Sequence, residues 1–254
     1  MEHELWLTAL FNQYLAAPAN YLLNLVGLKH DPAHPWSNFM AMELFVVLAI
    51  IVIFAMLKPR LSMDRPGKFQ HIFEMVYNFL NGQTDEIAGR AAHPYLPFIG
   101  TIFIFVLFCN LLGAIPSFES PTMFAPVPLG CALATFFFYN FVGVKEQGAG
   151  HYLKHFAGPI PAMAPLMFPI EVISNLARPL SLTIRLYANI YAGEQVTLAF
   201  MSLIPLLVPL PFMGLHIFVA FLQAYVFALL TMVYLGDVLP HHEQADEKAM
   251  PVPA

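Results

Sequence analysis

Residues 181–194 have the sequence SLTIRLYANIYAGE, which places a permanently charged side chain, Arg185, inside a strongly apolar part of the chain. The apolar stretch around it runs from Ala162 to Asp237. An arginine near the middle of a bilayer costs about 2.5–3.5 kcal/mol on insertion scales, so ionisable residues in such segments are functional candidates. The role of Arg185 therefore bears on both the fold and the function.

The composition of the chain is that of an integral membrane protein. Of its 254 residues 59% are hydrophobic and only 11% are charged, whereas soluble domains carry about 25% charged residues. No basic stripe indicates a nucleic-acid partner. Cys109 and Cys131 stand alone in separate apolar runs, which favours packing over a disulfide, redox or metal role. We predict an all-α polytopic membrane protein without a cofactor or a metal ion.

Hydropathy predicts three membrane-spanning helices and one amphipathic helix before the polar stretch. The three spans are residues 39–57, 96–115 and 127–144. Each has about the length that a hydrocarbon layer of ~30 Å requires. From Phe69 to Leu80 the apolar residues recur at helical spacing along one side, which is typical of an amphipathic helix.

The same pattern divides the chain into three regions. Residues 1–38 are apolar but broken by amides and prolines, so we expect an N-terminal interfacial segment there. Residues 39–240 form the predicted membrane domain. Residues 241–254 are acidic and contain proline, which predicts a disordered tail.

The apolar stretch around Arg185 is too long for one perpendicular span. We predict two long helices, the first at about 165–203, separated by a break around residues 204–211. The first would be about 58 Å long at 1.5 Å per residue, well beyond a ~30 Å layer. We expect a strongly tilted helical hairpin, with a sharp bend in the first helix as the alternative.

Positive charges predict the orientation of the chain. The loop after the first span carries Lys58, Arg60, Arg65 and Lys68 against Asp64. Cytoplasmic loops are enriched in Lys and Arg, so we expect this loop in the cytoplasm. The N-terminus then lies outside, and the C-terminus lies in the cytoplasm.

Polar side chains recur along the first helix of the hairpin. Arg178 and Arg185 are seven residues apart and fall within about 20° of each other around a helix. Glu171 and Asn189 lie about 40° to either side of Arg185. Glu194 falls on the opposite face, so the spacing predicts different surroundings for it.

The second helix carries a polar stripe of His216, Gln223 and Tyr234, which lines a wet path or faces a polar partner. Glu and His exchange protons, whereas arginine keeps its charge. A path of Glu and His interrupted by Arg185 admits protons from each side without passing them straight through. A structural ion pair between Arg185 and Glu171 is the alternative, and Arg178 could extend to the membrane surface.

Other interpretations are less specific. His151 and His155 stand four apart, a spacing that could bind a metal, but without a third ligand solvated loop residues are favoured. Glu43, Asn110 and Asn140 are interpreted as packing or interfacial groups. The sequence has no GxSG, HExxH or GxxxxGK[ST] motif, which argues against a serine protease, a zinc protease and a P-loop ATPase. A free-standing ion channel or transporter is the rival function.

Two segments carry a family resemblance. SLTIRLYANIYAGE and, at 221–235, FLQAYVFALLTMVYL resemble subunit a of F-type ATP synthases, the stationary proton-channel subunit. The first fits the pattern R-L-x-x-N-x-x-x-G-E, and the second fits L-Q-A followed by T-x-V-Y-L. PGKFQHIFEMV and FCNLLGAIP also fit, so the resemblance covers about residues 40–237.

The resemblance implies roles for individual residues. Arg185 would face the rotor ring of c subunits and meet its essential carboxylate, with Gln223 supporting it at the same interface. Glu194 and His216 match the pair assigned to the half-channel that opens to the outside. Asn189 would line the approach.

It also implies a second group of residues. Glu171 matches the acid near the cytoplasmic half-channel, and Arg178 matches a position that is basic in relatives. Ser181 and Tyr234 would support proton translocation. The turn that starts at Ser120 lacks the Asp- or Asn-containing run of many relatives, so the resemblance gives no ground for an outer-channel role there.

The partners implied by the resemblance are the c-subunit ring, the b subunits of the peripheral stalk, the remainder of the F1Fo complex and membrane lipid. The location would be a bacterial inner membrane. The chain would be non-catalytic and would couple proton flow to ring rotation and ATP synthesis. Glu and His along the path favour H⁺ as the coupling ion.

Overall fold

The structure is a computed structural model that describes residues 5–26, 34–62, 67–115, 118–148, 150, 152, 164–203 and 209–239. Within these ranges the chain is helical and contains no β-strand, which confirms the all-α prediction. The predicted acidic tail, His151 and His155 lie outside the described residues, as does most of the break after the first hairpin helix.

The helices are α1 (Trp6–Tyr14), α2 (Ala16–Val26), α3 (Asn38–Leu57), α4 (Lys68–Ile87), α5 (Leu96–Leu112), α6 (Pro126–Gln147), α7 (Ala164–Leu203) and α8 (Pro209–Val238). Short 3₁₀ turns occupy Lys58–Arg60, Arg90–Tyr95 and Pro121–Met123. Four described segments are long and apolar enough to cross a membrane: Asn38–Arg60, Arg90–Leu112, Pro126–Gln147 and Pro211–Val238. They contain the predicted spans at 39–57 and 127–144, the predicted span at 96–115 except for its last three residues, and most of α8.

Helix α7 is continuous over 40 residues although it contains Pro169 and Pro179. A proline removes one backbone hydrogen bond, but such residues are tolerated in membrane helices where neighbouring groups satisfy the freed carbonyl. The hydroxyl of Thr183 donates a hydrogen bond of 2.8 Å to the carbonyl of Pro179 itself, which is distinct from the Asn175 carbonyl that Pro179 leaves without its backbone donor. At 1.5 Å per residue α7 is about 60 Å long, as expected for the first helix of the hairpin.

Helix α4 has the predicted amphipathic character. The side chain of Gln70 clamps its start: it accepts a hydrogen bond from the Ser62 N–H and donates one to the Ser62 carbonyl, both 3.0 Å long. Leu80 is buried, but Phe69 and Ile72 are 73% and 57% exposed. Much of the apolar side of α4 therefore lies open at the surface of the chain.

The chain divides into two compact units. The first consists of Met1–Leu61, Ile104–Pro128 and Ile184–Ala224, and the second of Ser62–Phe103, Leu129–Thr183 and Tyr225–Ala254. Both α7 and α8 contribute residues to each unit.

In the first unit the N-terminal segment is packed against a membrane span. Leu7 and Phe11 of α1 share an apolar core with Met42 of α3. The side chain of Asn12 accepts a hydrogen bond from the Trp36 N–H (2.9 Å) and donates one to the Trp36 carbonyl (3.3 Å). Asn12, one of the polar residues of this segment, thus forms hydrogen bonds within the chain. The position of the segment at the membrane surface stays a prediction.

Candidate functional site

Arg185 lies on the open side of α7. Its side chain is exposed, as is that of Asn189 one turn further on. Leu186 and Ile190 are each only 1% exposed and hold the opposite side of the helix in the first unit. No residue in the described part of the chain forms an ion pair or a hydrogen bond with Arg185. The internal ion pair considered from the sequence is therefore absent among these residues.

Gln223 is half-buried on α8, in the same unit as Arg185. The neighbouring Ala220 and Ala224 are fully buried, whereas Leu215 and Phe218 are 55% and 59% exposed. Gln223 therefore lies at the border between the packed and the open side of the helix, where its amide can serve a group that approaches from outside the chain.

His216 occupies a slot between two glycines. A Cβ atom on Gly113 would lie 3.4 Å from Nε2 of His216, and one on Gly193 would lie 3.3 Å from Nδ1. The side chain is only 7% exposed, and Nε2 has no hydrogen-bond partner among the described residues. The absence of side chains at both glycines is what gives the imidazole ring its room.

Glu194 follows Gly193 directly and is half-buried, unlike Arg185 on the same helix. Its Oε2 atom is buried and has no hydrogen-bond partner within the described ranges. The first unit thus brings together both members of the predicted Glu–His pair, each with an unpaired polar atom. Buried polar atoms of this kind are rare and point to a functional or hydrated environment.

Three further polar side chains of the first unit were missed as site candidates. Asn110 donates a hydrogen bond of 3.1 Å to the carbonyl of Ala220, one turn after His216. The hydroxyl of Thr122 donates to Asn110 Oδ1 (2.6 Å) and lies 2.7 Å from the hydroxyl of Ser120. Asn110, Ser120 and Thr122 are all fully buried. Asn110 packs as expected, but it does so within a polar network.

The second unit holds a different cluster around Arg178. Its Nη2 atom lies 3.0 Å from Oδ2 of Asp237, and its guanidinium carbon lies 5.0 Å from the ring centroid of Tyr234 and 6.0 Å from that of Tyr139. A guanidinium over aromatic faces gains about 0.5–2 kcal/mol. Arg178 is therefore held by a partner on α8, a contact that the sequence did not reveal.

A chain of hydrogen bonds in the second unit joins α6 to α7. The hydroxyl of Tyr139 donates to Asn175 Oδ1, and Asn175 Nδ2 donates to Asn140 Oδ1 at 3.2 Å. The buried Tyr152 donates to the same oxygen at 2.7 Å. Glu171 is half-buried one turn before Asn175, and Ser181 is exposed.

These features define a class of protein: a multi-pass, all-α membrane protein that carries ionisable side chains on its apolar helices. The exposed Arg185 has no partner among the described residues, and the pair of Glu194 and His216 is partly buried. In the described part of the chain no group of three or more His, Cys, Asp or Glu residues could hold a metal ion.

The family of the ATP synthase A chain matches residues 40–236. ATP synthase subunit a of Solibacter usitatus is 59% identical over 91% of this chain and 99% of its own length. The corresponding proteins of Koribacter versatilis and Bdellovibrio bacteriovorus are 48% and 38% identical, over 95% and 87% of this chain and 99% and 98% of their own.

The chain therefore belongs to the ATP synthase A chain family. Its role is that of the proton-translocating stator subunit of the membrane sector, which is itself non-catalytic. The rival interpretation as a free-standing channel or transporter is set aside by this membership.

Proposed function

We propose that Arg185 faces the ring of c subunits and keeps two proton half-channels apart. The observation that carries this proposal is an exposed guanidinium without a partner among the described residues. Ala188 and Ala192, also exposed, lie on the same open side of α7. Small residues let a neighbouring transmembrane helix approach closely, so this side suits a ring helix that carries a carboxylate.

The half-channel from the outside uses Glu194 and His216, with Asn189 on the approach to Arg185. Gln223 supports the guanidinium at the ring interface. The unpaired Oε2 of Glu194 and Nε2 of His216 support this assignment, because a proton carrier needs a free acceptor. A histidine side chain can take up and release a proton, whereas Arg185 does not lose its proton.

The half-channel to the cytoplasm uses Glu171, with Arg178, Ser181 and Tyr234 in support. The hydrogen-bonded amides of Asn175 and Asn140 add polar surface beside this acid. The Arg178–Asp237 ion pair fixes the end of α8 in the second unit.

Each step transfers a proton between ionisable side chains of this chain and a carboxylate of the ring. A proton from outside passes through His216 and Glu194 to a ring carboxylate, which is then neutral and can enter the lipid. After the ring turns, the carboxyl releases its proton toward Glu171. The attraction of Arg185 favours the ionised form of the carboxylate as it passes, so the proton leaves before the guanidinium is reached.

The energy of each step is small, because one charge crossing the membrane is worth about 2.3 kcal/mol per 100 mV. Rotation accumulates many such steps before ATP forms elsewhere in the complex. The partners we propose are the c ring, the b subunits of the peripheral stalk and the remainder of F1Fo. The chain lies in a bacterial inner membrane with its N-terminus outside and its C-terminus in the cytoplasm, as the cations at Lys58 and Arg60 favour.

Disulfide cross-linking tests whether the open side of α7 faces the ring. Ala188→Cys and Ala192→Cys are expected to cross-link to a cysteine placed near the ring carboxylate, because a disulfide requires Cα atoms about 4.4–6.8 Å apart. Yields are read on non-reducing gels of the assembled complex. The native cysteines Cys109 and Cys131 are buried.

Leu186→Cys and Ile190→Cys on the packed side of α7 are the matched controls and are expected not to form a cross-link to the ring. Equal yields from both pairs of variants would contradict the proposal, as would cross-links from the packed side alone. Native gels establish that each variant complex has assembled.

A further inference from the structure

The turn between α5 and α6 is held firmly in the first unit. Ser120 Oγ donates a hydrogen bond of 2.9 Å to the carbonyl of Cys109, and Thr122 is bonded to Asn110. The ring of Phe118 lies 5.9 Å from that of Trp6. Glu119 therefore lies between two anchored residues, so the fold fixes the position of its backbone.

The turn lies close to the buried His216, next to Gly113, which has no side chain. A Cβ atom on Gly113 would lie 2.9 Å from Cβ of Ser120 and 3.4 Å from Nε2 of His216. Ser120 and the imidazole thus both lie within 3.4 Å of the same point. Since His216 is only 7% exposed and Nε2 has no partner among the described residues, an unpaired polar atom is buried beside the turn.

Glu119 also interacts electrostatically with Glu194. Both carboxylates are half-buried, and Oε2 of Glu194 is one of the buried atoms without a described partner. Three titratable side chains from three separate elements, the turn, α7 and α8, therefore converge in one unit.

We infer that Glu119 is a further proton-relay residue of the outer half-channel, which takes up protons at its mouth and delivers them to Glu194. The inference rests on the proposed function. Two nearby carboxylates repel each other when both are ionised, so the pair favours holding one proton between them. A hydronium ion at the mouth protonates the Glu119 carboxylate and leaves as water, the proton moves to the ionised Glu194 carboxylate, and Glu119 returns to its ionised form.

The family resemblance assigns no role to Glu119, since the four segments that carry it do not include this residue. Gly113 carries no side chain, and Glu119 stands six residues further along the chain. Burial of Ser120 and Thr122 brings that acid to the channel, which sequence spacing alone does not show.

ATP synthesis in proteoliposomes tests the relay. With F1 facing the bulk solution, the lumen corresponds to the outside of the cell, and an acidic lumen with a potassium diffusion potential drives the enzyme. Glu119→Gln is expected to lower the initial rate several-fold, whereas Glu119→Asp, which keeps a carboxyl group, retains most of it. A raised concentration of a membrane-impermeant buffer acid such as MES in the lumen is expected to restore part of the Glu119→Gln rate, and the same acid outside is not.

Glu86→Gln, the same charge change on an exposed part of α4, is the matched control and is expected to behave like the parent chain. An unchanged rate in Glu119→Gln would overturn the inference. So would a loss that neither Glu119→Asp nor lumenal acid restores, since that result indicates a structural role. Arg185→Ala is measured alongside, because its retained activity would instead reject the proposed function.

Discussion

Replacement of Arg185 by alanine is expected to abolish ATP-driven proton pumping while the complex still assembles. The side chain is exposed and has no partner in the described part of the chain, so its removal breaks no described internal contact. What is lost is the fixed positive charge that keeps the half-channels apart and ionises the passing carboxylate. We expect a loss of at least about a hundredfold, the size found when a preorganised charge stabiliser is removed.

The measurement is acidification of inverted membrane vesicles after addition of ATP. Arg185→Lys separates charge from geometry, since lysine lacks the planar fork and can lose its proton in apolar surroundings; we expect it to pump poorly. Arg90→Ala, at an exposed arginine in a 3₁₀ turn, is the control. Acidification by Arg185→Ala at the parent rate would refute the role assigned to this residue.

The second large effect is expected for the Glu194–His216 pair. Glu194→Gln removes a proton acceptor and His216→Ala removes the imidazole from its glycine-walled slot. A positioned acid or base contributes about 10²–10⁴-fold to proton transfer, and we expect slowing by about tenfold to a hundredfold, because water in the half-channel can replace part of the relay. Glu194→Gln breaks no described hydrogen bond at Oε2, and native gels of the His216→Ala complex establish that it assembles without this buried side chain.

Proteoliposomes distinguish the two sides, because proton concentration is set separately in the lumen and the bulk. The variants are expected to be limited by proton entry from the outer side only. His71→Ala on α4, where the side chain is 72% exposed, is the matched histidine control. A defect confined to access from the inner side would reverse the assignment of the half-channels.

Much of the fold could be predicted from the sequence because apolar length dominates membrane architecture. The long first hairpin helix was expected at 165–203 and is observed at Ala164–Leu203. The different surroundings of Arg185 and Glu194 followed from helical periodicity, because nine residues turn a helix by about 180°. Both results depend only on local sequence.

What could not be predicted depends on contacts between distant residues. Polar turns usually lie in solvent, so nothing in the sequence indicated that Ser120 and Thr122 would be fully buried beside Asn110. The Arg178–Asp237 ion pair joins residues on two helices. The hydrogen bonds of Asn12 to Trp36 likewise require the N-terminal segment to fold back onto α3.

The most direct test of the central claim is a cryo-EM structure of the assembled membrane sector that resolves Arg185 and the ring carboxylates. The claim predicts that the guanidinium points out of its own chain and comes within about 4 Å of the nearest ring carboxylate, the usual limit for an ion pair, or is joined to it through one water molecule. A guanidinium bound instead to Glu171 or another carboxylate of its own chain, beyond the reach of any ring helix, would contradict it.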